Sequence, residues 1–228
     1  MNIDVLPDSD SVARRAAAWL AAEARVAVAA RGRFTVAVSG GKTPWQMLRA
    51  LANEEMPWQQ VHVFQVDERI APAGDRDRNL SHLRESLLSH APLPEANLHA
   101  MPVNDADLEG AAQRYAALIR KVTGGEGQLD VAHLGLGADG HTASLVPDDE
   151  VLDVVDRDIA LTGVYQGRRR MTMTYPLLNR SRAVLWLMTG AAKVEMLHKL
   201  RAGDRTIPAG RIEVQQQIVL ADKAAVGE

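Results

Sequence analysis

The sequence predicts an α/β fold in which a mostly parallel sheet lies between two layers of helices. Short apolar segments rich in β-branched residues alternate along the chain with segments that carry helix start and stop signals, a pattern typical of parallel strands joined by right-handed crossovers. The predicted strands are nearly continuous apolar runs, as expected when helices cover both faces of a sheet. No Pro-, Gly- or Ser-rich linker interrupts the chain, so we predict a single α/β domain over residues 1–228.

In the first half of the chain, turn and cap residues separate the predicted elements. The Ala-rich segment 16–30 predicts a helix that has Ser9 or Asp10 as its N-cap and stops at Gly32. Pro44 suits the first turn of a second helix, which runs to about Ala52. The remaining predictions are strands at 34–38 and 61–66, a charged loop at 71–78, a helix at 80–89, a weak strand at 97–101 and a helix at 105–122.

The second half of the chain is richer in strands. Apolar runs predict strands at 129–136, 159–164, 170–174, 183–188 and 214–220, and a helix at 191–201. Because the alternation of strands and helices implies parallel pairing, these strands are assigned to the parallel sheet.

Composition excludes several classes of function. Hydrophobic residues make up 46% and charged residues 24% of the 228 residues, which are ordinary globular values. The net charge is −3, so we expect neither bulk nucleic-acid binding nor membrane binding, and a bound anion needs a local cluster of cations. The chain contains no cysteine, which excludes thiol catalysis and suits a reducing cytoplasm. No apolar run reaches the ~18 residues of a membrane span, and the N-terminus lacks the features of a signal peptide.

Four familiar sequence motifs of catalytic or binding sites are either matched only in part or absent. The GGKT segment lacks the first glycine of a phosphate-binding P-loop, since Val36 occupies that position within a strand. The Gly-x-Gly-x-x-Gly pattern at 135–140 is followed by Pro147, which leaves no room for the long helix of a dinucleotide site. Neither a Gly-x-Ser-x-Gly motif nor His spacing for a metal is present, and His133, inside a strand, is interpreted as a core or edge histidine. We therefore predict neither nucleotide hydrolysis nor a nicotinamide cofactor nor a metal site.

Polar and glycine residues follow four of the predicted strands at the edge where a parallel sheet places its binding crevice. The segments are Ser39–Thr43, Asp67–Arg69, the glycine-rich run ending at His141, and 189–193. Short glycine-rich turns that open a helix bind phosphate through backbone N–H groups. A histidine has an ordinary pKa near ~6.5 and is the natural general base at neutral pH. The sequence therefore predicts a site for a phosphorylated substrate with His141 as its base.

At these positions the chain resembles a known family over essentially its whole length. The motifs are SGGKTP at 39–44, VDER at 66–69, Asn79 at a helix start, LGLGADGHTASLVP at 134–147, RMTMTYPLLNRS at 170–181 and TGAAK at 189–193. They are similar to those of the bacterial-type 6-phosphogluconolactonases, in the glucosamine-6-phosphate isomerase/6-phosphogluconolactonase family. Lys42 and Arg78 depart from the family pattern, which often has Ser at both positions.

The resemblance implies a Rossmann-like three-layer α/β/α fold, shared with the deaminases and ribose-5-phosphate isomerase. It also implies hydrolysis of 6-phospho-D-glucono-1,5-lactone without cofactor or metal. His141 is then the base, Asp139 or Glu68 orients it, and Asp67 is a further expected catalytic residue. Glycine N–H groups or a nearby cation stabilise the oxyanion. The expected substrate- and phosphate-binding residues are Ser39, Gly40, Gly41, Lys42, Thr43, Arg69, Asn79, Gly137, Gly140, Arg170 and Lys193.

Two alternatives stay open at this stage. An isomerase or deaminase of amino-sugar phosphates needs a carboxylate base, and Asp67 could serve. The second alternative is a catalytically silent sugar-phosphate sensor, a class of protein that usually carries a DNA-binding segment. The start of the first predicted strand at residue 34 and the presence of His141 both argue against this alternative. The expected partner is a sugar phosphate lactone, and we expect neither a nucleic-acid partner nor a membrane partner. We also expect the protein to be cytoplasmic and to be a monomer or a weak homodimer.

Overall fold

The computed structural model describes residues 2–228 and contains two separate sheets. The strands are β1 (Asn2–Leu6), β2 (Phe34–Val38), β3 (Val61–Gln65), β4 (Asp67–Arg69), β5 (Leu98–His99), β6 (Val131–Leu134), β7 (Ile159–Leu161), β8 (Arg170–Met173), β9 (Ala183–Met188) and β10 (Gln216–Asp222). The α-helices are α1 (Ser9–Arg31), α2 (Lys42–Leu51), α3 (Asn79–Leu83), α4 (Leu108–Thr123), α5 (Tyr175–Asn179), α6 (Val194–Arg201) and α7 (Lys223–Val226).

The larger sheet is parallel throughout, with the strand order β1-β10-β9-β6-β2-β3-β5. Every residue of β2, β6 and β9 is buried, which matches the continuous apolar runs of the sequence. Successive side chains of β2 enter opposite cores. Val36 packs in the core with Leu20 of α1, whereas Ala37 packs in the core that contains Tyr115 of α4. Helices thus cover both faces, and the predicted three-layer α/β class is confirmed.

The smaller sheet corrects one prediction. Strands β7 and β8, predicted to belong to the parallel sheet, form an antiparallel sheet with β4 in the order β4-β8-β7. Only residues 162–169 connect β7 to β8. A parallel pair needs a crossover of about a dozen residues or more, so this connection permits only a hairpin.

The chain changes from one sheet to the other at Val66. Its N–H donates to Val38 O in the large sheet at 3.0 Å, and its carbonyl accepts from Met173 N of β8 at 2.8 Å. The single predicted strand 61–66 therefore continues, beyond this residue, as β4 of the small sheet. This change of direction carries Asp67 and Arg69 over the carboxyl edge of the large sheet.

Several element boundaries differ from the sequence predictions. Helix α1 is capped by Asp8, whose Oδ1 accepts from Ser11 N at 2.7 Å, and not by Ser9 or Asp10 as predicted. Its end at Gly32, with φ of 72°, is confirmed. The predicted helix 80–89 is α3 followed by a π-helical turn at Arg84–Leu88. Strand β1 was not predicted. Within residues 2–228, no helix has both the length and the apolar character needed to cross a membrane.

Candidate active site

A cavity of about 440 Å³ lies at the carboxyl ends of β2, β6 and β9. Most of the predicted site residues line it, although they come from distant parts of the chain. These are Ser39, Gly40, Gly41, Lys42, Thr43, Asp67, Arg69, Asn79, Gly137, His141, Arg170 and Lys193. Of the remaining three, Asp139 contacts His141 from outside the lining, Gly140 supports the same loop, and Glu68 is buried behind the wall.

The loop after β2 is fixed by buried contacts. Ser39 N donates to His133 Nδ1 at 3.2 Å, and Ser39 Oγ donates to the His133 carbonyl at 2.9 Å. His133 is fully buried, which confirms its assignment to the core, and burial lowers its pKa to about 3. A Cβ on Gly40 would lie 2.0 Å from Asn79 Oδ1, so glycine is what allows Asn79 to pack here. Lys42 is exposed at the start of α2, where helix N–H groups favour anions.

Glu68 does not contact His141. Its carboxylate accepts from the backbone N–H groups of Arg69, Asn79 and Leu80 at 2.8–2.9 Å and pairs with Arg78 Nε at 3.1 Å. Glu68 and Arg78 are both almost fully buried. A buried carboxylate needs such partners, and this one holds the start of α3 against β4. Of the two residues predicted to orient His141, only Asp139 therefore contacts the imidazole.

Asp67 is a buried carboxylate at the cavity wall. Burial raises its pKa, while a hydrogen bond from Ser144 Oγ to Oδ2, at 2.5 Å, and the charge of Arg170 act in the opposite direction. Asn79 Nδ2 donates to the Asp67 carbonyl at 3.1 Å and so links β4 to α3. Such a carboxylate can accept a hydrogen bond from a ligand or hold a proton.

Three cationic side chains with restricted positions face the cavity. Arg69 Nη1 donates to Asp77 O at 2.6 Å, and Lys193 Nζ donates to Leu136 O at 2.5 Å. Arg170 is buried, and its Nε has no hydrogen-bond partner. Burial lowers the pKa of both Arg170 and Lys193, and neighbouring carboxylates oppose that effect. Partly desolvated cations of this kind bind an anion more strongly than exposed ones do.

The loop after β6 presents His141 paired with Asp139. Asp139 Oδ1 lies 2.6 Å from His141 Nδ1 and accepts the His141 backbone N–H at 3.1 Å. Burial alone would raise the pKa of Asp139, but hydrogen bonds from His141 and from Tyr165 lower it overall. With Nδ1–H donated to the carboxylate, Nε2 keeps the lone pair and is the basic nitrogen.

Glycines shape this loop. A Cβ on Gly137 would lie 2.1 Å from His141 Nδ1 and 2.6 Å from Asp139 Oδ1. Gly140 has φ of 82°, and a Cβ there would lie 2.6 Å from Ile207 Cβ. Gly137 thus allows the imidazole to fold back over its own loop, and Gly140 allows the loop to pack against Ile207.

Sequence reasoning missed several residues that the fold brings to the site. Trp45 lines the cavity, and so does Thr189, which lies inside the TGAAK segment but was not named as a site residue. Thr189 Oγ1 lies 2.7 Å from Thr43 Oγ1 and so joins the start of α2 to the loop after β9. Ser144 and Tyr165 contact Asp67 and Asp139 respectively. Ser144 is inside the glycine–histidine motif, where its spacing from His141 was a usable signal. For Tyr165 the sequence carries none, because only the hairpin between β7 and β8 places it here. Residues 2–228 hold no cluster of three or more candidate metal ligands.

Comparison with known proteins shows the family of the chain. A family model described as glucosamine-6-phosphate isomerases/6-phosphogluconolactonase matches residues 7–220. The chain belongs to this family. The resemblance stated from the motifs is thereby confirmed.

Several known proteins match the chain over nearly its full length. The 6-phosphogluconolactonase of Synechocystis sp. is 38% identical over 232 residues, which cover 98% of this chain and 96% of the relative. The crystal structure of 6-phosphogluconolactonase from Thermotoga maritima superposes with a TM-score of 0.84 at 27% identity, covering 96% and 98% of the two chains. A monomeric glucosamine-6-phosphate deaminase shares the fold, with a TM-score of 0.86 at 19% identity and coverage of 99% and 98%.

Proposed function

We propose that this protein is a 6-phosphogluconolactonase, which hydrolyses 6-phospho-D-glucono-1,5-lactone to 6-phospho-D-gluconate. The single observation that carries the proposal is the pairing of His141 with Asp139 at the wall of a cavity that Arg69, Arg170 and Lys193 also line. A general base and a phosphate-binding set of cations are the two things that hydrolysis of this substrate requires. The relatives named above support the choice of substrate.

In the proposed mechanism, His141 activates water. Its Nε2 takes a proton as the water oxygen attacks the lactone carbonyl at C1, and Asp139 stabilises the imidazolium that forms. The tetrahedral intermediate then expels the ring oxygen, breaking the C1–O bond, and the imidazolium returns the proton to that oxygen. Because a δ-lactone is already reactive, an oriented base and a fixed substrate are sufficient.

The cations have two tasks in this proposal. The turn Ser39–Thr43, with Lys42 at the start of α2, offers backbone N–H groups and charge to the phosphate. Arg69, Arg170 and Lys193 share the remaining phosphate contacts and the stabilisation of the oxyanion.

A deaminase or isomerase of amino-sugar phosphates is the second candidate. Asp67 favours it, because a buried carboxylate with a raised pKa at the cavity wall can act as a proton-transferring base at a sugar carbon. The family description includes both activities.

An assay of the purified protein on freshly made lactone separates the two candidates. We expect acid release well above spontaneous hydrolysis, and no release of ammonia from glucosamine 6-phosphate.

His141→Asn should lower kcat by at least about 10² because the general base is lost. The exposed His90 provides the control, since His90→Asn removes an imidazole outside the cavity and should keep wild-type turnover. Near-normal turnover of His141→Asn, after spontaneous hydrolysis is subtracted, would remove His141 from the mechanism.

A further inference from the structure

The phenol of Tyr165 contacts the carboxylate that pairs with His141. Tyr165 Oη donates to Asp139 Oδ2 at 3.0 Å and lies 3.4 Å from His141 Nδ1. Asp139 Oδ1 is already occupied by the imidazole and by the His141 backbone N–H. The two carboxylate oxygens therefore have separate partners, one from its own loop and one from the hairpin between β7 and β8.

The hairpin fixes the position of Tyr165. Tyr165 N donates to Arg168 O at 3.0 Å across a turn whose central residues, Gln166 and Gly167, have φ of 52° and 78°. Positive φ at both central positions is the geometry of a type I′ turn. Arg168 then pairs with Asp75 and Asp77 at 3.1 and 3.0 Å, which ties the turn to the charged loop after β4.

Tyr165 also connects the histidine pair to a cation of the cavity. The guanidinium carbon of Arg170 lies 4.9 Å from the centre of the phenol ring, and Arg170 Nη2 donates to Gln166 Oε1 at 3.3 Å. The ring meets His141 edge-on, with centroids 5.4 Å apart. Tyr165 itself is not among the residues that line the cavity.

Asp139 needs such a restraint. About 37% of its side chain is exposed, and a carboxylate open to water can rotate away from its partner. Burial and the hydrogen bond to Asp139 both raise the pKa of the Tyr165 phenol. The phenol is therefore protonated at neutral pH and can donate a hydrogen bond to the Asp139 carboxylate.

We infer that Tyr165 is a positioning residue: its hydroxyl holds Asp139 against His141 Nδ1 and thereby keeps the basic lone pair on Nε2. The inference rests on the proposed lactonase function for its kinetic consequence only, since the state of the imidazole can be observed without substrate. The hydroxyl acts through Asp139 and not on the substrate.

Kinetics of Tyr165→Phe test the role of the hydroxyl, because phenylalanine keeps the ring beside His141 and Arg170. We expect kcat on 6-phosphogluconolactone to fall about tenfold, the loss typical of one hydrogen bond to a charged group, with KM unchanged. Tyr175→Phe is the matched control, since it also removes one hydroxyl hydrogen bond, to Pro208 O, away from the cavity lining. In an Asp139→Ala background, Tyr165→Phe should cost nothing further. A full tenfold loss in that background would overturn the inference.

The imidazole nitrogen chemical shifts of His141 in the ligand-free protein give the second readout. The wild type and Tyr175→Phe should show a proton on Nδ1, whereas Tyr165→Phe should show a substantial population with the proton on Nε2. A nitrogen spectrum of His141 unchanged by Tyr165→Phe would overturn the inference. This result does not depend on the substrate, so failure of the lactonase proposal would appear only in the assay on lactone.

Discussion

At the scale of single residues, buried polar groups divide into those that build the site and those that support it. His133 and Glu68 support it, because their polar atoms hold the backbone of the loops after β2 and β4. His141 and Asp67 face the cavity. The sequence places Asp67, Glu68 and His141 just after strands and His133 inside a strand, but burial and partners decide between the two roles. That is why Glu68 could not be separated from Asp139 as the residue that orients His141 before the fold was known.

The buried imidazole of His133 has a measurable effect on stability. In the unfolded chain it binds a proton below about pH 6.5, whereas in the folded protein it stays neutral until its pKa of about 3. Between these values the unfolded state holds more protons, so the free energy of unfolding decreases as pH falls, by about 1.4 kcal/mol per pH unit.

The test compares the wild type with His133→Asn, whose amide oxygen can still accept from Ser39 N. Urea unfolding at about pH 7.5 and about pH 5.5 should show that the wild type loses about 1.4 kcal/mol more than the variant over this interval. Equal losses in the two proteins would show that His133 titrates normally in the folded state. The other titrating groups are common to both proteins and cancel in the comparison.

At the scale of elements, the sequence pattern predicted the strands that have a local signal. It failed to predict which strands pair, because strand pairing depends on residues that are distant in the chain. The apolar runs of β2 and β9 were recognisable because parallel central strands are buried on both faces. β7 (Ile-Ala-Leu) is an apolar run like these, but β8 reads Arg-Met-Thr-Met, an alternation more typical of an antiparallel strand. Together with the short connection between the two strands, that alternation argues against parallel pairing. Tyr165 was missed for the same reason, since no local signal marks a residue that reaches the site through a hairpin.

The loop that carries His141 depends on Gly140 for its shape. We expect Gly140→Ala to destabilise the protein by about 2–4 kcal/mol, because the methyl group meets both a positive φ and the Ile207 side chain. Gly203→Ala is the control: φ is 65° there, but nothing lies within 4 Å of the added Cβ, so the cost should be only about 1 kcal/mol. Urea unfolding of both variants measures the difference. If the two costs were equal, the contact with Ile207 would not constrain the loop.

At the scale of the whole molecule, the charge distribution is uneven. The net charge is −3, yet Lys42, Arg69, Arg170 and Lys193 all line one cavity. The chain as a whole repels a doubly charged phosphate ester, so attraction has to come from this local group within a distance comparable to the Debye length.

The local attraction predicts a salt dependence. Raising the ionic strength from about 20 mM to about 300 mM should increase KM for 6-phosphogluconolactone several-fold, because salt screens the contacts with the phosphate. KM for unphosphorylated gluconolactone should stay nearly constant, since that substrate carries no charge. Steady-state kinetics on both substrates at each salt concentration provide the measurement. Parallel changes in the two KM values would contradict a phosphate site made of these cations.

The pairing of β1 with β10 has a consequence for synthesis on the ribosome. Among residues 2–228, β1 pairs only with β10, which lies more than 200 residues later in the chain, and Val5 is opposite Ala221. While translation has not yet released residues 216–222, β1 has no partner and β9 presents the apolar edge Ala-Val-Leu-Trp-Leu-Met to the surroundings. An unpaired apolar edge of this kind invites association with other chains. A nascent chain that has emerged as far as Lys193 therefore contains every residue that lines the cavity. Its unpaired edge at β9 still needs protection from other chains until β10 pairs with it.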